Sequence, residues 1–329
     1  VSNIGHIGDV ILTSAIINSI QKINPNTKIS LLINKDSEVV ANTIPGVYKI
    51  HKFTHWYTRR DKTFLLKKLF QYYMIDRKKI IKEITAEKYE CAIDTRIWMP
   101  TSINVLSNSK IKNIFGYNRL DFFSRLTNSL KFEYNRSHEI EYHLKLLSFF
   151  EGYNNNKVKL IKPTIKNSAM HSINTKILNQ VDKYSILHMG SSSKERNLPI
   201  ETWFKLSELI LKDNITPILT GYGKMDKELT DKLKQINPKC LNTCNQLNWD
   251  ELVALLSKAE NIISVETSVG HLAASLDKPV ISIYGGMSDN KQWKPYGDKV
   301  KVVSNFVPCN PCFKKRGCNN IICLSGITA

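Results

Sequence analysis

The sequence predicts an α/β protein built from two parallel-sheet domains. Three observations carry this. Short β-branched runs alternate with segments of helical apolar spacing along most of the 329 residues. The alternation occurs in two blocks, 1–165 and 166–329, joined by a polar stretch around 153–180 that contains Asn154-Asn155-Asn156 and Pro163. A composition that is 42% hydrophobic and 23% charged gives each block enough apolar surface for a core and excludes global disorder.

In the first block the chain starts strand-like and passes through Gly5-His6-Ile7-Gly8-Asp9-Val10 into an amphipathic helix. That helix runs from Ile11 to Ile23 and stops at Asn24-Pro25-Asn26. Strands are predicted at Lys28–Ile33, near Val47–Ile50, at Cys91–Ile93 and at Lys112–Phe115, with a helix over 139–150. The second block alternates more regularly. Strands are expected at Tyr184–His188, Thr216–Leu219, Asn261–Val265 and Pro279–Tyr284, and helices over 200–212, 225–236, 248–258 and 269–276. Helices of this length between strands cover both faces of a parallel sheet, so both domains are expected to be Rossmann-like. Ligands then bind beyond the carboxyl ends of the strands, in a cleft between the domains.

Charge narrows the partner. Lys plus Arg is 47 against 29 for Asp plus Glu, a formal net charge of +18. Nucleic acid, an acidic membrane surface and a phosphorylated substrate all fit. No apolar run reaches the ~20 residues that span a bilayer. Seven cysteines without a secretory signal point to a reducing cytoplasm. The first residues lack an initiator Met, so the start is expected to be missing.

Five groups of residues can carry chemistry. At Gly8-Asp9-Val10, Asp9 has two readings: a carboxylate capping the helix start, or a general base. At Ser264–His271 a buried strand turns through Glu266, Thr267 and Ser268 into a helix that holds Gly270 and His271. Its free N–H groups form an anion seat. At His188–Arg196, Ser191 and Ser192 expose hydroxyls beside Lys194 and Arg196, a second phosphate-type loop. Cys309, Cys312, Cys318 and Cys323 are spaced for a structural Zn or Fe site, with reduced thiols as the alternative. The Lys49–Lys82 stretch interleaves Arg59, Arg60 and several lysines with aromatic residues. It reads either as a solvated helix face or as a surface for an anionic acceptor or membrane.

Taken together, Gly8-Asp9-Val10, His188-Met189-Gly190-Ser191-Ser192, Glu266 to Ala274, Lys278-Pro279-Val280, and Tyr284-Gly285 followed by Trp293-Lys294-Pro295-Tyr296-Gly297 resemble glycosyltransferase family 9. This is the ADP-heptose–lipopolysaccharide heptosyltransferase family. The resemblance implies a GT-B fold, with an acceptor-binding domain first and a nucleotide-sugar domain second. It also implies an inverting transfer that needs no metal. On this basis Asp9 matches the catalytic base. Ser191, Ser192, Lys194, Arg196, Thr267, Ser268, Gly270 and His271 match phosphate-binding positions, and Glu266 stands in the same turn. Leu247 matches an apolar residue against the nucleotide base, and Asp226 or Glu228 the ribose contact. His6, Arg59, Arg60 and Arg96 are assigned to the acceptor.

Glu266-Thr267-Ser268 departs from the Asp-Thr-Gly usual in the family, and Ser268 reaches positive φ less cheaply than Gly. The chain stops at Ala329 where relatives continue into a final helix, so a cut at this end is expected too.

The implied partners are an ADP-heptose donor, an anionic glycolipid acceptor and the acidic inner-membrane surface, with the protein in the cytoplasm or peripheral on that membrane. Three alternatives are weighed against this. One is a family 9 enzyme using another sugar or a protein acceptor. Another is a family member that binds nucleotide sugar without transferring it. The third is a basic nucleic-acid-binding protein, which the sequence disfavours because it carries no recognised nucleic-acid motif.

Overall fold

The computed structural model describes residues 1–56, 64–97, 102–118, 125–154, 158–314, 318 and 320–329. The chain divides into two compact units, Val1–Ile161 and Lys162–Ala329. The architecture is α/β with parallel sheets in both.

In the first unit, strands β1 (Ser2–Asn3), β2 (Ile29–Ile33) and β3 (Val47–Lys52) form one parallel sheet. Strands β4 (Cys91–Ile93), β5 (Asn113–Asn118) and β6 (Asn128–Lys131) form another. A parallel bridge between Ser2 and Asp94 joins them. The Thr95 N–H donates to the Ser2 carbonyl at 3.0 Å across this seam. The resulting order is β3-β2-β1-β4-β5-β6. The helix Ile7–Ile23 connects β1 to β2 and buries Val10, Leu12, Ala15, Ile16 and Ile17 completely.

The second unit repeats the pattern in one six-stranded sheet. Its strands are β7 (Tyr184–His188), β8 (Thr216–Thr220), β9 (Leu241–Asn242), β10 (Asn261–Val265), β11 (Val280–Tyr284) and β12 (Val300–Ser304). Their order is β12-β11-β10-β7-β8-β9, all parallel. All five residues of β7 are buried, the near-continuous apolar signature of a strand covered on both faces. Both units thus place their first and fourth strands side by side, and the strand order reverses there.

The polar stretch around 153–180 is more ordered than its composition predicts. It contains the helix Asn167–Lys176, which buries Ala169 and Ile173. Ser172 Oγ and Lys176 Nζ each donate to Glu251 Oε1 at 2.6 Å. Glu251 also closes a reciprocal cap with Asn248, bonding at 2.9 Å in both directions at the start of the helix Trp249–Lys258. The basic stretch after β3 also gains structure, in a helix that runs from Leu65 to Ala86 with a π-helical middle at Gln71–Asp76.

Trp203 is the largest fully buried side chain of the second unit's core, packed with Leu187, Leu219, Leu233 and Ile263. Its indole Nε1 meets no hydrogen-bond partner among the described residues. Trp203→Ala is expected to cost about 3–5 kcal/mol through the cavity it leaves. Trp203→Phe should cost much less, because it also removes the unpaired N–H. Urea unfolding of the two variants, followed by far-UV circular dichroism, checks the ranking.

Candidate functional site

The chemistry-bearing loops lie at the carboxyl ends of the central strands, and each unit is described by itself. In the first unit β1 ends at Asn3, whose buried amide ties three elements together. Asn3 Nδ2 donates to Thr13 Oγ1 at 2.9 Å and to Thr95 Oγ1 at 3.0 Å, while Asn3 Oδ1 accepts from the Gly5 N–H at 3.1 Å. The chain then turns through Gly5 into the helix at His6, its N-terminal cap. A Cβ on Gly5 would lie 2.2 Å from both Asp9 Oδ2 and Arg96 Nη1, so only glycine lets these side chains meet there.

Asp9 sits in the first helical turn. Its Oδ2 accepts the His6 N–H at 2.9 Å and Arg96 Nη1 at 3.1 Å. Both side chains are less than one-fifth exposed. The capping role read for Asp9 is therefore present, and the two donors found for it fall on the same oxygen.

Asp94, at the end of β4, lies two residues from Arg96 and is buried. Ser102 Oγ donates to Asp94 Oδ1 at 2.7 Å. Burial pushes the Asp94 carboxyl up to about 6, against the pull of Ser102 and Arg96. Sequence reasoning stopped at Arg96 and missed Asn3 and Asp94. A polar residue at each of two apolar strand ends was the available signal. Of the acceptor residues, His6 and Arg96 are brought beside Asp9, while Arg59 and Arg60 lie outside the described residues.

In the second unit four strand ends converge. After β7, Ser191 Oγ donates to the Ser193 carbonyl at 2.8 Å and shapes a tight turn, while Ser192 and Lys194 face solvent. After β8, Asp226 is buried with its Oδ2 accepting the Tyr222 N–H at 3.0 Å, and burial raises its carboxyl pKa. A Cβ on Gly190 would lie 1.9 Å from Asp226 Oδ1, so this glycine admits the carboxylate between the two loops. Glu228 is on the exposed side of the helix Lys224–Ile236 and pairs with Lys224 at 3.9 Å. Leu247, half-buried, follows β9.

After β10 the chain passes through Glu266 and Thr267 into the helix Ser268–Ser275, where Gly270 and His271 are buried. Glu266 Oε1 lies 3.4 Å from Arg196 Nη2, which joins this turn to the β7 loop. Burial raises the Glu266 carboxyl pKa and the Arg196 guanidinium opposes that shift. Thr267 Oγ1 and Arg196 Nε are buried and meet no hydrogen-bond partner among the described residues. The positive φ that would favour Gly is not required at Ser268. Ser268 is the first residue of the helix and is not one of the residues with positive φ.

The four-cysteine metal site is not assembled. Among the described residues, no group of three or more His, Cys, Asp or Glu side chains is placed to hold a metal ion. Cys323 packs against the second unit's core while Cys309 is exposed, so the thiols do not share one environment. No helix among the described residues is long and apolar enough to cross a membrane.

The family model of glycosyltransferase family 9 (heptosyltransferase) matches residues 77–321. Lipopolysaccharide heptosyltransferase 3 of Escherichia coli is 21% identical over 304 residues, covering 89% of this chain and 84% of that protein. A match at 25% identity over 104 residues to lipooligosaccharide heptosyltransferase 2 of Haemophilus influenzae covers 30% of each chain. The solved structure of E. coli ADP-heptose LPS heptosyltransferase II superposes with a TM-score of 0.76 at 14% identity, over 94% of this chain and 91% of that one. That likeness fixes the fold as GT-B.

The buried Asp94 makes stability depend on pH. Its folded pKa of about 6 lies above the unfolded carboxylate value, so the folded state holds the extra proton between the two. Stability from this group is full below the unfolded pKa, declines as pH rises towards about 6, and is flat above it. The total is about 3 kcal/mol, from ~1.36 kcal/mol per pKa unit. Asp94→Asn should abolish this slope and be most stabilising, relative to the native chain, at neutral pH. Denaturant unfolding of both proteins across pH 4 to 7, about the range set by these carboxyl values, provides the check.

Proposed function

The chain belongs to glycosyltransferase family 9, and on that premise we propose that it transfers heptose from ADP-heptose to an inner-core acceptor of lipopolysaccharide, with inversion at the anomeric carbon. The observation that carries the reading is the helix start at Ser268. There Thr267 and Arg196 keep unspent buried donors beside free backbone N–H groups, at the carboxyl ends of the two central strands. Such a seat fits a diphosphate. The names of the similar proteins, heptosyltransferases of lipopolysaccharide and one of ADP-heptose, supply the sugar and the acceptor class.

In the proposed step Asp9 takes the proton of an acceptor hydroxyl. Its Oδ2 already accepts from His6 and Arg96, so Oδ1 is the oxygen left for the substrate. The hydroxyl oxygen attacks the anomeric carbon, and the bond from that carbon to the diphosphate oxygen breaks. ADP leaves with one more negative charge. Ser191, Ser192, Lys194, Arg196, Thr267 and the amides of Ser268 to Gly270 meet that charge. Donors already aimed at a developing charge cost no reorganisation when it forms. This chain's own cations and amides supply the neutralisation, so the step is written without a metal ion.

Asp226 and Glu228 are the ribose candidates. Asp226 is the better placed, because it is held against the phosphate loop while Glu228 is turned out to Lys224. Leu247 packs against the adenine. The acceptor is an anionic glycolipid on the cytoplasmic face of the inner membrane, met by His6, Arg59, Arg60 and Arg96, with the enzyme peripheral on that surface.

Steady-state kinetics with ADP-heptose and a lipid A–inner-core acceptor test the reading. Asp9→Ala should lower kcat by about 10²–10⁴ with ADP affinity, read by calorimetry, unchanged. An unaltered kcat removes Asp9 from the mechanism. Arg196→Ala should instead weaken ADP binding by about 10–100-fold, the loss of a charge-assisted contact.

A further inference from the structure

The apolar surface of the described residues is unevenly spread. Of their 18 exposed large hydrophobic side chains, seven fall between Phe64 and Ile75: Phe64, Leu65, Leu66, Phe70, Tyr73, Met74 and Ile75. Phe64 is 74% exposed, Leu66 69% and Phe70 62%, values far from those of a core helix. The same helix is not loose throughout. Tyr72, Ile80 and Ile84 are buried in the first unit's core, with Phe53 5.4 Å from the Tyr72 ring. One face is therefore anchored and the other presented.

The presented face changes character along its length. Positions four apart on a helix share a face, and Leu66, Phe70 and Met74 continue into Lys78 and Lys82, all exposed. The π-helical turn at Gln71–Asp76 widens the spacing in the middle and brings Tyr73 and Ile75 out beside Met74. From 64 to 82 the chain carries six cations (Lys67, Lys68, Arg77, Lys78, Lys79 and Lys82) and one acid, Asp76. Lys67, Lys78, Lys79 and Lys82 form no ion pair among the described residues. An apolar end followed by unpaired lysines matches an interface that is hydrocarbon in one layer and anionic in the next.

We propose that the helix from Phe64 to Lys82 is the element by which this protein docks on an anionic phospholipid surface. Phe64, Leu65, Leu66, Phe70 and Met74 enter the headgroup–acyl boundary, and Lys78, Lys79 and Lys82 lie on lipid phosphates. The apolar run is too short to span a bilayer, so the contact is peripheral and reversible. A protein partner with an acidic groove would match the lysines but would leave the segregation of apolar from cationic positions without a purpose. The proposal deepens the reading of a membrane-borne acceptor and rests on it for which membrane is met; the docking itself is measurable without donor or acceptor.

The test is vesicle co-sedimentation of the full chain, with phosphatidylcholine vesicles compared with vesicles in which about 30% of the lipid is phosphatidylglycerol. Binding is expected to the anionic vesicles and to fall with added salt. The triple variant K78Q/K79Q/K82Q should bind on the order of 100-fold more weakly, about five-fold per lysine. The double variant F70S/M74S should also lose binding while retaining the native thermal transition, since both side chains are exposed. Equal binding of native protein and both variants, or binding to neither vesicle, overturns the proposal. So does a native dimer by light scattering that F70S/M74S converts to monomer, which would assign the face to a second copy of this chain. If ADP-heptose is not turned over but anionic vesicles still bind, the transferase reading fails and the docking element stands.

Discussion

A parallel sheet whose strand order reverses at its centre opens a gap at one edge, because the connections leaving the two central strands run to opposite faces. That constraint places the two clusters of partly buried charged side chains, one in each unit. At the first gap the loops after β1 and β4 bring Asp9 to Arg96. At the second, the loops after β7 and β10 bring Arg196 to Glu266. Neither pair is close in sequence. Each is close in space because strands 1 and 4 of its unit are neighbours. The glycines at 5 and 190 then decide whether the loops can close, since a methyl group at either position would occupy the place of a carboxylate oxygen.

Each gap pairs an arginine with a carboxylate. A net charge of +18 makes the chain as a whole attractive to anions, but the sites are made of compensated charge. Arg196 is held by Glu266, whose carboxyl resists ionisation through burial and is kept available by the cation beside it. On the proposed function, an incoming diphosphate would compete with the Glu266 carboxylate for Arg196. Glu266, one methylene longer than the Asp usual in the family, reaches the guanidinium at 3.4 Å.

Much of this was legible in the sequence, and the failures have physical causes. The strands of the second unit were legible because they are buried on both faces and read as apolar runs. The helix from Leu65 to Ala86 was legible only as one of two readings, because its outward face is apolar from Leu65 to Ile75 and its π turn breaks the 3.6-residue spacing. The helix Asn167–Lys176 was hidden by polar composition. It is held by Ser172 and Lys176 on Glu251 as well as by the burial of Ala169 and Ile173, and periodicity cannot register those bonds. Cysteine spacing misled about the metal, because Cys323 is spent on core packing beside Leu324. The conformational argument for Gly over Ser at 268 does not apply either. A residue at the first position of a helix has ordinary helical backbone, whatever its relatives carry there.

Asp9 shows why a bland reading and a sharp one need not compete. A helix-capping carboxylate is held by its acceptor role, and a general base must be held to be effective. On the proposed mechanism one oxygen serves each purpose. Oδ2 takes the His6 N–H and the Arg96 guanidinium, which fix the side chain's rotation and its distance from the backbone. Oδ1 then has a direction set by the other two bonds. The same arrangement explains the neighbouring polar scaffold. Asn3 holds Thr13 and Thr95, the Thr13 hydroxyl donates to the Asp9 carbonyl at 2.8 Å, and Asp94 is kept buried behind Arg96. A second exposed carboxylate in front of Arg96 would draw the guanidinium away from Asp9. Placing Asp94 in the interior, where Ser102 donates to its Oδ1, leaves the guanidinium to Asp9.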